Sequence, residues 1–185
     1  MELEQAIRLI KNPTGTVENP ARWADLGCGA GLFTHALAEL LPPGSTIYAV
    51  DEHAEALKKI LDSSRQHIIK IKANFVEDDL NLAPLDGLLM ANSLHFVKDK
   101  MAFMQKMSSM LASDASILLV EYDMDKPNPW VPYPISFPSL KNLFEKLPFG
   151  PVQKLNEAPS KFNKSLIYSA HICHTISHLP ALSLA

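Results

Sequence analysis

Ala24-Asp25-Leu26-Gly27-Cys28-Gly29-Ala30-Gly31 is the stretch on which the fold turns. An apolar run with a late acid leads into three glycines at alternate positions, and a helical pattern follows. The spacing predicts a strand over 21–26, a tight loop, and a helix over 31–41 that Pro42-Pro43-Gly44 stops. Glycines in such a loop allow left-handed backbone and let a ligand approach bare main chain.

Outward from that loop, strands and helices alternate. Leu3, Ala6, Ile7 and Ile10 lie at helical spacing, so residues 2–11 read as a short amphipathic helix that Asn12-Pro13-Thr14-Gly15 ends. Strands are predicted at 46–51, 68–73, 85–91 and 116–122, and helices at 53–63 and 98–111. Met101, Met104, Met107, Met110 and Leu111 form an apolar stripe, read as a helix packing on a sheet rather than as a methionine metal box. This alternation points to an α/β, doubly wound parallel sheet with helices on both faces. The composition then shifts. Pro127, Pro129, Pro132, Pro134 and Pro138 are interleaved with Trp130, Tyr133 and Phe137. A helical pattern returns over 139–147, and 152–157 and 165–172 read as closing strands. The organisation is a single domain over 1–185. An N-terminal helix and linker occupy 1–19, a ligand-binding core 20–123, and a proline-rich segment with closing strands 124–185.

A chain of 185 residues suffices to bury about 70% of the surface its unfolded form exposes. Net charge is −3 without a long basic run, which argues against a nucleic-acid groove. No window approaches a membrane span, and MELEQAIRLIK lacks the apolar core of a signal peptide. Two cysteines, one inside the glycine loop, fit a reducing, cytoplasmic setting. His171, Cys173, His174 and His178 suggest a metal, but a strand over 165–172 would turn them to different sides, so no metal is expected.

The ligand follows from spacing and charge. Dinucleotide loops read G-x-G-x-x-G, whereas this one reads G-x-G-x-G. Asp25 at the mouth would repel a pyrophosphate and attract a ligand carrying an ammonium and a sulfonium. S-adenosylmethionine is such a ligand. Asp51 ends the second strand, and its two carboxylate oxygens suit the vicinal hydroxyls of a ribose.

These residues resemble class I S-adenosylmethionine-dependent methyltransferases over roughly 20–125, and Ala91-Asn92-Ser93-Leu94-His95-Phe96 resembles the small-molecule enzymes of the ubiquinone and menaquinone biosynthesis type. The resemblance implies a Rossmann-like sheet of about seven strands with the last antiparallel, for which 165–172 is the candidate. It implies cofactor contacts from Asp25, Gly27, Cys28, Gly29 and Gly31, and from Asp51 with Glu52 following it beside the adenine. Asn74 and Phe75 fall where the family often has an acid for the adenine amine; the Asn74 amide oxygen could accept from it. Backbone at Ala91 and Asn92 would lie by the methionine end. The Asn-Pro-Pro-Tyr signature of amino-methylating enzymes is absent.

His95 is the candidate base, on its position and its ordinary titration range; the alternative is a packing histidine. Tyr122 and Asp123 follow the fifth strand on the ligand edge and are candidate acceptor contacts, although Asp123 could simply cap a turn. Trp130 and Tyr133 offer flat faces for a planar small-molecule acceptor, in a segment expected to fold over the site; the alternative is that they pack on the sheet flank. With a short N-terminal part, the pocket is open or is completed by that segment or by a second subunit in a homodimer. Two rival readings stand beside methyl transfer: a non-catalytic S-adenosylmethionine-binding protein and a nicotinamide-dependent oxidoreductase.

Overall fold

Alternation along the central strands decides where the helices go. Leu88, Met90, Ile117 and Leu119 enter one core, while Leu89, Leu118 and Val120 enter the other. Side chains on a strand point to opposite faces in turn, so near-continuous apolar strands demand cover on both sides. The computed structural model describes residues 1–12, 18–82, 84–160 and 165–174. The expected stop at Pro13–Gly15, His178 and the tail beyond His174 lie outside them.

The strands are β1 (Arg22–Leu26), β2 (Thr46–Asp51), β3 (His67–Lys72), β4 (Leu85–Ala91), β5 (Leu111–Tyr122), β6 (Gln153–Pro159) and β7 (Leu166–Cys173). They form one sheet in the order β3-β2-β1-β4-β5-β7-β6. The first five run parallel, and β7 is antiparallel to both β5 and β6. The expected sheet of about seven strands with an antiparallel last strand is therefore what the chain forms.

The helices are α1 (Leu3–Ile10), α2 (Leu32–Leu40), α3 (Ala54–Leu57), α4 (Lys100–Ser108) and α5 (Phe137–Phe144). One core joins α1 and α2 to the sheet through Ala6, Leu9, Phe33 and Leu37. Leu57 and Ile60 extend that side against Ala49. The other core holds Met104 and Met107 of α4 with Leu140 and Phe144 of α5, so the methionine stripe is packing. Among the described residues no helix is long and apolar enough to cross a membrane, and no group of His, Cys, Asp and Glu could hold a metal ion. His174 spends its Nδ1 on the carbonyl of Ala112 at 2.7 Å.

Two helices end without a glycine cap and borrow distant donors instead. Buried Gln66 donates from Nε2 to the carbonyls of Ala38 and Leu41, both at 2.9 Å, closing α2. Asn156 and Ser169 do the same for α1. Such partners satisfy carbonyls that a helix end leaves open.

Three elements differ from expectation. The helix expected over 53–63 is the single turn α3: Leu57 and Ile60 bury against the loop, and the polar chain after them carries no further apolar face. Asp99 caps α4 by accepting from Ala102 N–H at 3.0 Å, which starts the helix at 100 rather than 98. Strand β5 begins at Leu111, five residues early, because Leu111 pairs with Leu85 across a register shift in β4. Residues 112–115 fall in that irregularity between the pairs Leu85–Leu111 and Gly87–Ser116.

Gly87 lies under the indole of Trp23; an added Cβ would sit 2.2–2.4 Å from three ring carbons. Gly87→Ala should destabilise the protein by about 1–3 kcal/mol, the usual result of overpacking. Urea unfolding should show a lower midpoint, with much of the loss recovered when Trp23→Leu is added.

Candidate active site

The sheet reverses its strand order between β1 and β4, and the glycine loop crosses the carboxyl end of the sheet there. Gly27, Gly29 and Gly31 have φ of +74°, +54° and +87°, a region L side chains rarely adopt. The end of β2 holds the loop. Gly27 and Cys28 N–H donate to the Val50 carbonyl at 2.9 and 3.1 Å, and Gly29 N–H donates to Asp51 Oδ2 at 2.8 Å. Asp51 Oδ1 accepts from His53 N–H at 2.9 Å. Each carboxylate oxygen thus carries one backbone donor; Oδ1 also lies 3.2 Å from His53 Nδ1, and Oδ2 keeps capacity for another donor.

Close packing joins this loop to β4. A Cβ on Gly27 would meet Ser93 Cβ at 2.5 Å and the Phe75 ring at 3.1 Å, and one on Gly31 would meet Ile60 at 2.7 Å. Above Gly29 nothing lies within 4 Å, so that face of the loop is open to a ligand. Ser93 Oγ donates to the Leu26 carbonyl at 2.6 Å, tying the chain after β4 to the end of β1. Asn92 makes the turn between them with φ of +54°, donating its N–H to Val120 O at 2.7 Å. A non-glycine residue there is unusual, although Asn tolerates it better than most.

Two cavities flank this turn. The smaller, about 340 Å³, is lined by Gly27, Asp51, Glu52, Asn74, Phe75 and Phe96 among others. The larger, about 660 Å³, lies between α1, the first turn of α2, Asn92, Tyr122 and residues 156–160. Leu32 and Phe33 carry the chain from the glycine loop into the larger one.

The sequence profile of the methyltransferase-domain family matches residues 24–117, more than half the chain. The chain belongs to that family. It is an S-adenosylmethionine-dependent methyltransferase with the class I fold. Among solved structures, it resembles the 1,6-didemethyltoxoflavin N1-methyltransferase of Burkholderia thailandensis at 20% identity, covering 94% of this chain and 78% of that one, with a TM-score of 0.68. The YcgJ protein of Bacillus subtilis is similar at 12% identity, 94% and 98% coverage, and a TM-score of 0.68. Magnesium protoporphyrin IX methyltransferase of Synechocystis PCC 6803 is similar at 10% identity, 94% and 78% coverage, and a TM-score of 0.64. No curated protein sequence matches the chain significantly.

The methyltransferase's loop fits the cofactor: an open glycine face, a carboxylate with spare acceptor capacity and a nucleoside-sized cavity lie together. Asp51, Glu52, Gly27, Asn74 and Phe75 share the smaller cavity, while Asn92 lines the larger one. Asn74 uses its amide differently from the expectation. Its Oδ1 accepts from Val76 N–H at 3.0 Å and Glu77 N–H at 3.3 Å, and its Nδ2 donates to Glu52 at 3.4 Å. Both lone pairs of the oxygen are committed to the local turn.

Asp25 lines neither cavity. It is fully buried beneath the loop, where Thr34 Oγ1 donates to Oδ2 at 2.6 Å and Oδ1 has no partner. Burial pushes its carboxyl up to about 7; Thr34 opposes that, and the neighbouring Asp51 charge adds to it. Burial, with Asp25 and Asp51 nearby, also raises the Cys28 thiol, so this cysteine is not a reactive thiolate.

His95 also lines neither cavity. It is 3% exposed, with Nδ1 at 2.7 Å from Glu121 Oε2 and its backbone N–H donating to Oε1 at 3.2 Å. Tyr122 does reach the larger cavity. Asp123 instead accepts from Phe137 N–H at 2.8 Å, ahead of α5. Tyr133 and Trp130 are in neither lining, and Trp130 is 83% exposed. The proline-rich segment is fastened beside the site: Tyr133 N–H donates to His95 O at 3.0 Å and Lys100 Nζ to Tyr133 O at 2.6 Å. Nothing in the sequence analysis pointed to Met1, to Gln5, Arg8 and Leu9 of α1, or to the wall at 156–160. The Gln5 and Arg8 spacing on one side of an amphipathic helix was the available signal.

Two outcomes follow. Asp25 is protonated more readily folded than unfolded, so its contribution is fully present below pH ~4 and is lost as pH rises through about 7. Asp25→Asn should therefore flatten the fall in ligand-free stability between pH 5 and pH 8, gaining a few kcal/mol at pH 8 in urea melts. Trp130→Ala should leave the melting temperature within about 2 °C of wild type, as surface substitutions usually do.

Proposed function

We propose that this methyltransferase transfers the methyl group of S-adenosylmethionine to a small-molecule acceptor held in the larger cavity. One observation carries the reading: the turn Asn92–Phe96 is a shared wall, with Asn92 lining the larger cavity and Ser93 and Phe96 the smaller. A nucleoside in one cavity and an acceptor in the other would meet across the open face of the glycine loop. The toxoflavin-precursor enzyme among the similar structures supports a small-molecule acceptor. A cavity of about 660 Å³ suits a drug-sized molecule.

The cofactor supplies a methyl group already activated on a sulfonium, so the protein's work is placement and exclusion of water. Asp51 takes the ribose hydroxyls at Oδ2, and at Oδ1 in place of the exposed His53 ring. Glu52 and Glu77 face the same cavity and are better placed than Asn74 to accept from the adenine amine. Leu9, Leu32, Phe33 and Ile167 give the acceptor an apolar bed; Gln5, Asn92 and Tyr122 give it hydrogen-bond partners. Burial, with the Glu121 charge nearby, raises Tyr122, so its phenol stays protonated and orients the acceptor rather than taking a proton. His95, paired with Glu121, holds the shared wall against β5. One chain supplies both cavities, so the reading requires no second subunit.

Calorimetry with S-adenosylmethionine and S-adenosylhomocysteine, followed by an acceptor panel, tests this. Both ligands should bind, and Asp51→Ala should weaken them by about 1.5–3 kcal/mol for each charge-assisted hydrogen bond lost. Binding with no turnover on any acceptor would favour a non-catalytic S-adenosylmethionine-binding protein. Saturable NADH binding without either of those ligands would favour the oxidoreductase.

A further inference from the structure

We infer that Asn156 and Ser169 are positioning residues for acceptor binding: they moor α1 across the larger cavity and set the distance between its two walls. The inference rests on assigning that cavity to the acceptor.

Helix α1 leaves its last turn into extended chain at Lys11, with φ of −66° and ψ of 116°, so no left-handed cap closes it. Its terminal carbonyls are taken by the far end of the sequence. Asn156 Nδ2 donates to Arg8 O at 2.8 Å and to Leu9 O at 3.4 Å. Ser169 Oγ donates to Leu9 O at 2.6 Å and accepts the Asn156 N–H at 3.1 Å. The serine is 1% exposed and its bond to Leu9 O is buried, while Asn156 closes the network at the surface.

A bulge aims it. Lys154 pairs with Ala170 but Asn156 pairs with Ser169, leaving Leu155 as an extra residue in β6. An extra residue restarts the alternation and turns the following side chains to the other face. Asn156 thereby points toward α1, and residues 156–160 beyond the bulge become one wall of the cavity. Gln5, Arg8 and Leu9 of α1 line it too. The hydrogen bonds that end α1 therefore join the two elements the acceptor must fit between.

The smaller cavity shares no residue with α1, β6 or β7. Loosening the mooring should therefore affect acceptor binding and spare cofactor binding. A residue that only stabilised the fold would not separate the two.

The test uses the full chain saturated with S-adenosylhomocysteine and 7-hydroxycoumarin as a flat phenolic probe, followed by fluorescence and by amide chemical shifts. The wild type should bind the probe with shifts at Gln5, Leu9, Tyr122 and Ala158. Asn156→Asp removes both amide donors and sets a carboxylate against a helix C-terminus, which disfavours it. It should weaken the probe about tenfold, the scale of one lost helix cap, with S-adenosylhomocysteine affinity within about twofold of wild type. Ser169→Ala, the milder change, should shift the probe in the same direction. Unchanged probe affinity in both variants, or equal losses for probe and S-adenosylhomocysteine, overturns the inference while the cavity assignment stands. A wild type that binds S-adenosylhomocysteine but shows no probe shifts in this cavity overturns the assignment itself, and the inference with it.

Discussion

The hydrogen bond from Gly29 N–H to the Asp51 carboxylate, at 2.8 Å, joins the first turn of the chain's main loop to the end of β2. With the two bonds to Val50 O, it keeps the loop in a conformation that three left-handed residues make possible. Much else depends on that conformation. It orients Asp51, presents an open face at Gly29 and lets Ser93 close on Gly27. Docking of Ser93 in turn fixes where Asn92 and Phe96 stand, and so where one cavity stops and the other begins.

The two cavities come from different parts of the chain. The smaller is built by segments that follow consecutive parallel strands, each delivering its residues to the same sheet edge. The larger draws its walls from the two ends of the described chain, α1 and the β6–β7 hairpin. Asn156 and the Arg8 carbonyl it meets are 148 residues apart. On the proposed assignment, α1 and residues 156–160 can change with the acceptor while the cofactor's lining stays as it is, because none of those residues lines the smaller cavity.

The glycine loop and the smaller cavity beside it were readable in the sequence because their signals are local. The glycine spacing forces backbone geometry within five residues, and an acid at a strand end reports its own position. The topology was readable for the same reason: alternation and turn residues act over short distances. The acceptor side was not. Nothing in Gln5 or Asn156 alone announces a shared cavity, and a bulge at Leu155 has no glycine to mark it. Trp130 and Tyr133 drew attention by composition, yet main-chain hydrogen bonds at Tyr133 hold their segment beside the site with the indole exposed. His95 sat in the expected segment, but Glu121, 26 residues away, decided its environment. Asn74 lines the smaller cavity, but its amide oxygen is taken by the local turn at Val76 and Glu77.

The most direct measurement is a crystal structure of the protein with S-adenosylhomocysteine. The account predicts the ribose hydroxyls on Asp51, the adenine beside Glu52 and Phe75, and the sulfur directed past Asn92 toward the cavity lined by Gln5, Tyr122 and Asn156. A nucleoside lodged instead between α1 and β6, or a sulfur directed away from Asn92, would contradict it.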